Sequence, residues 1–152
     1  KIPLDVAWAK EKDSTQAINK KYKQLSKTLI KSVVLSKWIK GSYFFIKKNY
    51  QKKIFVIISA TPQQELEIIL KKLSIYKNFN EIYGYPFKKK DVIIKVLSKY
   101  DIKKTDCIFI GDSNNDYTSA KKVKIPFLLK KNNENVDLHK IKGIKTFNDF
   151  ND

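Results

Sequence analysis

The chain has 152 residues, 32 basic against 15 acidic side chains, a formal net charge of +17, 42% hydrophobic residues and a single cysteine. That length suits about one domain burying roughly 70% of its unfolded surface, so neither disulfides nor a metal is needed for stability. The lone Cys107 excludes an internal disulfide framework and a Cys-rich zinc site, and no apolar run nears the ~20 residues of a bilayer span. The apolar content is too high for disorder throughout, so the chain reads as a soluble globular protein, expected in the cytoplasm.

Residues 1 to 12 carry Pro3 and no clear periodicity. From Asp13 to about Trp38, Ile18, Tyr22, Leu25, Leu29 and Val33 recur at three- and four-residue steps, which predicts an amphipathic helix ending before Gly41. A short helix over Ser42 to Asn49 follows, with Phe45 as an apolar contact. The rhythm then changes. Ile54 to Ile58 is a continuous β-branched and aromatic run, as expected of a strand buried on both faces. Thr61 as N-cap, Pro62 at the first helical position and Gln64 three residues after the cap predict a helix whose apolar face is Leu66, Ile69, Leu70 and Leu73. A strand at Glu81 to Tyr83 ends in Gly84, and a helix over Lys89 to Tyr100 buries Val92, Ile93, Val96 and Leu97. Then come a strand Cys107 to Ile110, a helix Asn114 to Val123 and a strand Ile125 to Leu129. Lys130 to Lys140 reads as a polar loop, with His139 on the surface, and Ile144 to Phe147 as an edge element.

Strands alternating with helices of this length predict an α/β fold, a Rossmann-like parallel sheet with helices on both faces. Ligands in such sheets bind beyond the carboxyl ends of the strands. After the first strand, Ser59-Ala60-Thr61-Pro62 offers hydroxyls and backbone N–H groups at a helix N-terminus, which suits a phosphate; the same residues also suit a plain strand end and helix cap. After the second come Lys88, Lys89 and Lys90, where one ammonium near a phosphate would neutralise its charge; the same triplet also suits a plain solvated face. After the third comes Gly111-Asp112-Ser113-Asn114-Asn115-Asp116. Two carboxylates four residues apart, one at the strand end and one on the first helical turn, can face one point and hold a hard cation such as Mg²⁺. Asp as an N-cap, with a second acid favouring the helix dipole, is the other reading.

The order hydroxyl, lysine, paired acids resembles the haloacid dehalogenase-like hydrolases, which are mostly phosphatases. The similarity rests on Ile54–Gln64 (IFVIISATPQQ), Gly84–Val92 (GYPFKKKDV) and Cys107–Ala120 (CIFIGDSNNDYTSA), and covers about residues 41 to 150. The resemblance implies a Mg²⁺-dependent phosphomonoesterase acting through an aspartyl-phosphate on a small phosphorylated substrate. Ser59, with Ala60 and Thr61, would bind the phosphoryl group, and Lys89 would stabilise its charge, with Lys88 and Lys90 as alternatives. Asp112 would ligate Mg²⁺, and Asp116 would assist the metal or hold the lysine.

The family's first motif, Asp-x-Asp after an apolar strand, has no counterpart. Asp5 is followed by Ala7 where the acid/base should stand, and Pro3 breaks the preceding run. Residues 1 to 48 read as the remnant of a helical cap, and 49 to 152 as a core lacking its first strand. In this family that strand lies between those bearing Ser59 and Asp112, so its removal would expose two strand edges. The chain starts at Lys1 and contains no Met, so it is expected to be an N-terminally incomplete copy of an enzyme, nearly inactive by itself. A catalytically inactive module binding a phosphorylated ligand or a protein is the alternative. All 32 basic residues are Lys, as A/T-rich codons favour. Without Arg, whose guanidinium fork reads guanine and phosphate bidentately, sequence-specific nucleic-acid recognition is not expected.

Overall fold

The computed structural model describes residues 15–151, so Asp5 and the other residues before Thr15 lie outside the described part. The chain divides after Ser36 into two compact units. The first contains α1 (Thr15–Leu35). Its helical period is as expected, but Ile18, Tyr22, Leu25, Leu29 and Val33 all remain exposed, and the buried residue of the helix is Ile30.

The second unit begins at Lys37, so α2 (Ser42–Asn49) belongs with it rather than with the residues before Ser36. Side chains explain why. Ile46 packs against a core of Leu66, Leu70 and Ile75, and the Phe45 ring lies 6.0 Å from that of Phe55 and 5.2 Å from that of Phe150. Each fully buried aliphatic side chain contributes about 1.5–3 kcal/mol, so this small cluster is a substantial anchor.

β1 (Val56–Pro62) and β2 (Glu81–Tyr85) form one parallel pair, with α3 (Gln63–Lys72) as the crossover. β3 (Phe109–Gly111), β4 (Phe127–Lys130) and β5 (Lys145–Phe147) form a second parallel sheet. α4 (Lys89–Lys99) leads from the first sheet toward the second, and α5 (Asn114–Val123) joins β3 to β4. The expected α/β architecture of parallel strands with helices on both sides is therefore present. Among the described residues, β1 pairs with β2 alone and β3 with β4 alone.

Several local details differ from expectation. β1 starts at Val56 because Phe55 is held by Asn80, whose side-chain Oδ1 accepts the Phe55 N–H and whose own N–H donates to the Phe55 carbonyl; the backbone ladder begins only at Val56↔Glu81. The strand then runs through Ser59 to Pro62, with a register irregularity between Ile58 and Pro62. Pro62, not Thr61, is the N-cap of α3. Within Lys130 to Lys140 a short helix, α6 (Val136–His139), buries Leu138.

Candidate active site

The best-connected polar cluster sits where α4 and α5 begin, beyond the carboxyl ends of β2 and β3. The sequence Ser113-Asn114-Asn115-Asp116 builds it locally through a capping box. The Ser113 hydroxyl accepts the Asp116 N–H at 3.1 Å and donates to Asp116 Oδ2 at 2.7 Å. The same Oδ2 accepts the Asp112 N–H at 3.1 Å and the Ser113 N–H at 3.0 Å. Three orphan donors at a helix start thus converge on one carboxylate oxygen.

The other oxygen, Oδ1, accepts from the Lys89 ammonium in an ion pair whose side chains are only 15% and 8% exposed. Lys88 and Lys90 are exposed. Burial alone would raise the Asp116 pKa. The Lys89 ammonium, the Ser113 hydroxyl and the backbone N–H donors outweigh it and hold the carboxyl below its ordinary range. Asp116 is therefore ionised and fully engaged by donors.

Gly111 makes this closeness possible. A Cβ built there would lie 2.5 Å from both Cβ and Cγ of Asp116, so the glycine is a steric requirement of the inward-turned carboxylate. Gly84 plays the same part on the first sheet. A Cβ there would meet the Thr61 carbonyl oxygen at 2.5 Å and the Gln63 backbone at 2.7 and 2.8 Å. Gln63 fastens this approach: its Oε1 accepts the Gly84 N–H at 2.5 Å, and its Nε2 donates to the Ile82 carbonyl at 3.1 Å.

Asp112 differs from Asp116. Its side chain is exposed, and the contact on its carboxylate is a long one, from Asn132 Nδ2 to Oδ2 at 3.5 Å. Its main chain is held at both ends, by Asp116 at the N–H and by Asn135 Nδ2 at the carbonyl, 2.8 Å away. Ser59 bonds within its own strand. Its hydroxyl donates to Thr61 Oγ1 and accepts the Thr61 N–H, both at 3.1 Å, while Ala60 is exposed. The structure thus brings together Lys89, Asp112 and Asp116, and links Ser59 to Thr61 at the end of β1.

The donor set suits a hard cation. Asp112 offers carboxylate lone pairs without a strong competing donor, and Mg²⁺ is bound through one or two carboxylates together with waters and substrate oxygens. Among the described residues no cluster of three or more Asp, Glu, His or Cys could hold a metal by itself. Direct binding by Asp116 would require it to give up Lys89 or the three donors at Oδ2.

Sequence reasoning missed Gln63, Asn132 and Asn135, amides that each have at least one partner 19 or more residues away. It also placed His139 on the surface, whereas the ring is half-buried with Nε2 2.5 Å from Asn135 Oδ1. Ser113 carried a readable signal, the Ser-x-x-acid spacing at a helix start. Among the described residues no helix is long and apolar enough to cross a membrane.

The model of the haloacid dehalogenase-like hydrolase family matches residues 3–130. A search of curated proteins found no match. Among solved structures, a predicted phosphoglycolate phosphatase from Haemophilus somnus superposes with a TM-score of 0.74 at 17% identity, covering 95% of this chain and 68% of that one. A haloacid dehalogenase-like hydrolase from Streptococcus pneumoniae gives 0.66 at 18% identity, covering 95% and 71%. A protein provisionally named a phosphatase, from Clostridium difficile, gives 0.61 at 22% identity, covering 76% of this chain, which spans only 58% of its length. The chain belongs to the haloacid dehalogenase-like hydrolase family.

Proposed function

We propose that the chain carries the phosphate- and metal-handling part of a Mg²⁺-dependent phosphomonoester phosphatase, with Lys89 and Ser59 facing the phosphoryl group and Asp112 ligating the metal. The observation that carries this reading is the Lys89–Asp116 ion pair beside an exposed, main-chain-anchored Asp112. Phosphoryl transfer depends mainly on positioning and on neutralising oxygen charge, and a lysine fixed by a buried acid is a preorganised cation. Asp116 here holds the lysine rather than the metal. At the other strand end, the Pro62 N-cap of α3 adds no side-chain bond, and the N–H groups of the helix's first turn beyond Gln63 would receive an anionic ligand such as the phosphate of a small substrate. When bound, Mg²⁺ would supply further neutralisation of phosphate oxygens.

The family resemblance assigns the nucleophile to an aspartate that would form an aspartyl-phosphate, and the described cluster contains no such group. The test therefore uses the product of the whole reading frame that encodes this chain, assayed with p-nitrophenyl phosphate. Turnover that requires Mg²⁺ and falls at least 100-fold in Asp112→Asn supports the phosphatase, on the scale of losing one electrostatic contact in the transition state. Saturable binding of a phosphate ester without turnover replaces it with an inactive phospholigand-binding module.

A further inference from the structure

Asp112 is the first residue after β3, beyond the ladder whose last pair is Gly111↔Leu129. A residue there would ordinarily be free to vary its backbone angles, and its carboxylate would swing with them. Here Asn135, from the loop after β4, extends the ladder by one step with its side chain. Its Nδ2 donates to the carbonyls of Asp112 and Lys130, each at 2.8 Å, tying together the residues that follow the last paired position on either strand. Asn135 is itself buried. Its Oδ1 accepts the Asn132 N–H at 3.0 Å, and Asn132 Oδ1 in return accepts the N–H groups of Glu134 and Asn135 at 2.8 and 3.0 Å.

The orientation of the Asn135 amide follows from its partners. Two carbonyls require the NH₂ on one side, so Oδ1 faces Asn132 and His139. Oδ1 can only accept, so His139 must carry its proton on Nε2 to bond there. The chain's sole histidine is thus a brace for the amide.

We propose that Asn135 is the positioning residue of Asp112, fixing its backbone so that the carboxylate is preset for a divalent cation, with Asn132 steadying the carboxylate itself. This rests on the reading of Asp112 as a metal ligand. Partners that orient a ligand typically affect metal affinity 10- to 100-fold. A role confined to loop packing would lower stability and leave the affinity of the folded protein unchanged.

The experiment is a Mg²⁺ titration of the isotopically labelled chain, followed at the Asp112 backbone amide by NMR. The comparison is among the unaltered chain, Asn135→Ala and Leu138→Ala, the last removing a buried side chain of the same short helix α6. The expected result is a midpoint raised about tenfold in Asn135→Ala, with Leu138→Ala melting at a lower temperature but keeping its midpoint. An unchanged midpoint in folded Asn135→Ala overturns the proposal. A midpoint raised equally in Leu138→Ala overturns it too. If Asn135→Ala does not fold, the Asn135 side-chain amide of the unaltered chain decides: moving with the Asp112 midpoint supports the proposal, and staying still overturns it. No saturable response at Asp112 in the unaltered chain defeats the metal reading itself and the positioning role with it.

Discussion

The turns that follow β1 and β3 have the same layout, a strand end, a hydroxyl residue and a helix start, but they spend their hydrogen bonds differently. After β3, Ser113 and Asp116 satisfy one another and the Asp112 N–H, so the turn neutralises its own donors and leaves the Asp112 carboxylate exposed outside. At the end of β1, the Ser59 and Thr61 side chains bond to each other, and Pro62 caps α3 without a side-chain bond. One turn is closed by its own acid and suits a cation. The other has no acid of its own at the helix start, and on the proposed reading it serves an anion. Lys89, which starts α4 after the strand paired with β1 and reaches the acid of the β3 turn, joins the two chemistries.

The largest effect should come from removing the acid that closes the β3 turn. Asp116→Ala strands the half-buried Lys89 ammonium and frees three donors at once; breaking a buried pair costs about 3–5 kcal/mol, and the lower end is expected for this half-buried one. Denaturant melts should show a loss in that range, with helix α5 fraying first in hydrogen exchange. A loss under about 1 kcal/mol would mean that the closed turn is ornamental.

Next in size is Gly84→Ala, which tests the approach of β2 to the β1 turn. Its Cβ would meet backbone atoms of Thr61 and Gln63, which cannot step aside as a flexible side chain would. Overpacking of this kind costs about 1–3 kcal/mol, and the upper end is expected here by thermal melting. A neutral substitution would show that the Gln63 clasp is looser than its hydrogen bonds indicate.

Acid should then erode what Asp116 contributes. Its folded pKa lies below the ordinary carboxylate value, despite burial, because of Lys89 and Ser113. Its stabilisation is therefore complete above the unfolded value of about 4 and is lost as pH falls through the folded one. The stability difference between the unaltered chain and Asp116→Asn should be constant near neutrality and shrink steadily below about pH 4. A difference that persisted into strong acid would contradict the ionised pair.

How much of this could be read in the sequence depends on how local the determinant is. Helix Asn114–Val123 has the expected bounds because Ser113, Asp116 and the apolar period lie within one segment. The β1 start was misplaced by two residues because Asn80, 25 positions away, takes over the pairing of Phe55. The α1 period was legible, yet periodicity says only that a face is apolar, and that face remains exposed. At the site, Asp112 and Asp116 stood out as acids in a lysine-rich chain. No spacing rule distinguishes Asn135 from the other asparagines around it, since its partner Asp112 lies 23 residues away.

The smallest effect is also the most direct comparison of the two turns. Ser113→Ala removes an N-cap hydroxyl that accepts the Asp116 N–H and donates to its carboxylate, and such caps are worth about 0.5–2 kcal/mol. Thr61→Ala removes a hydroxyl that accepts from Ser59 and caps nothing, so it should cost only the 0.5–1 kcal/mol or so of one partly exposed hydrogen bond. The order should reverse for ligand response. If the β1 turn serves an anion, inorganic phosphate should raise the melting temperature of Ser113→Ala as much as that of the unaltered chain, and that of Thr61→Ala less. Equal responses in both variants would remove the phosphate from the β1 turn and leave its hydroxyls as ordinary strand-end polar groups.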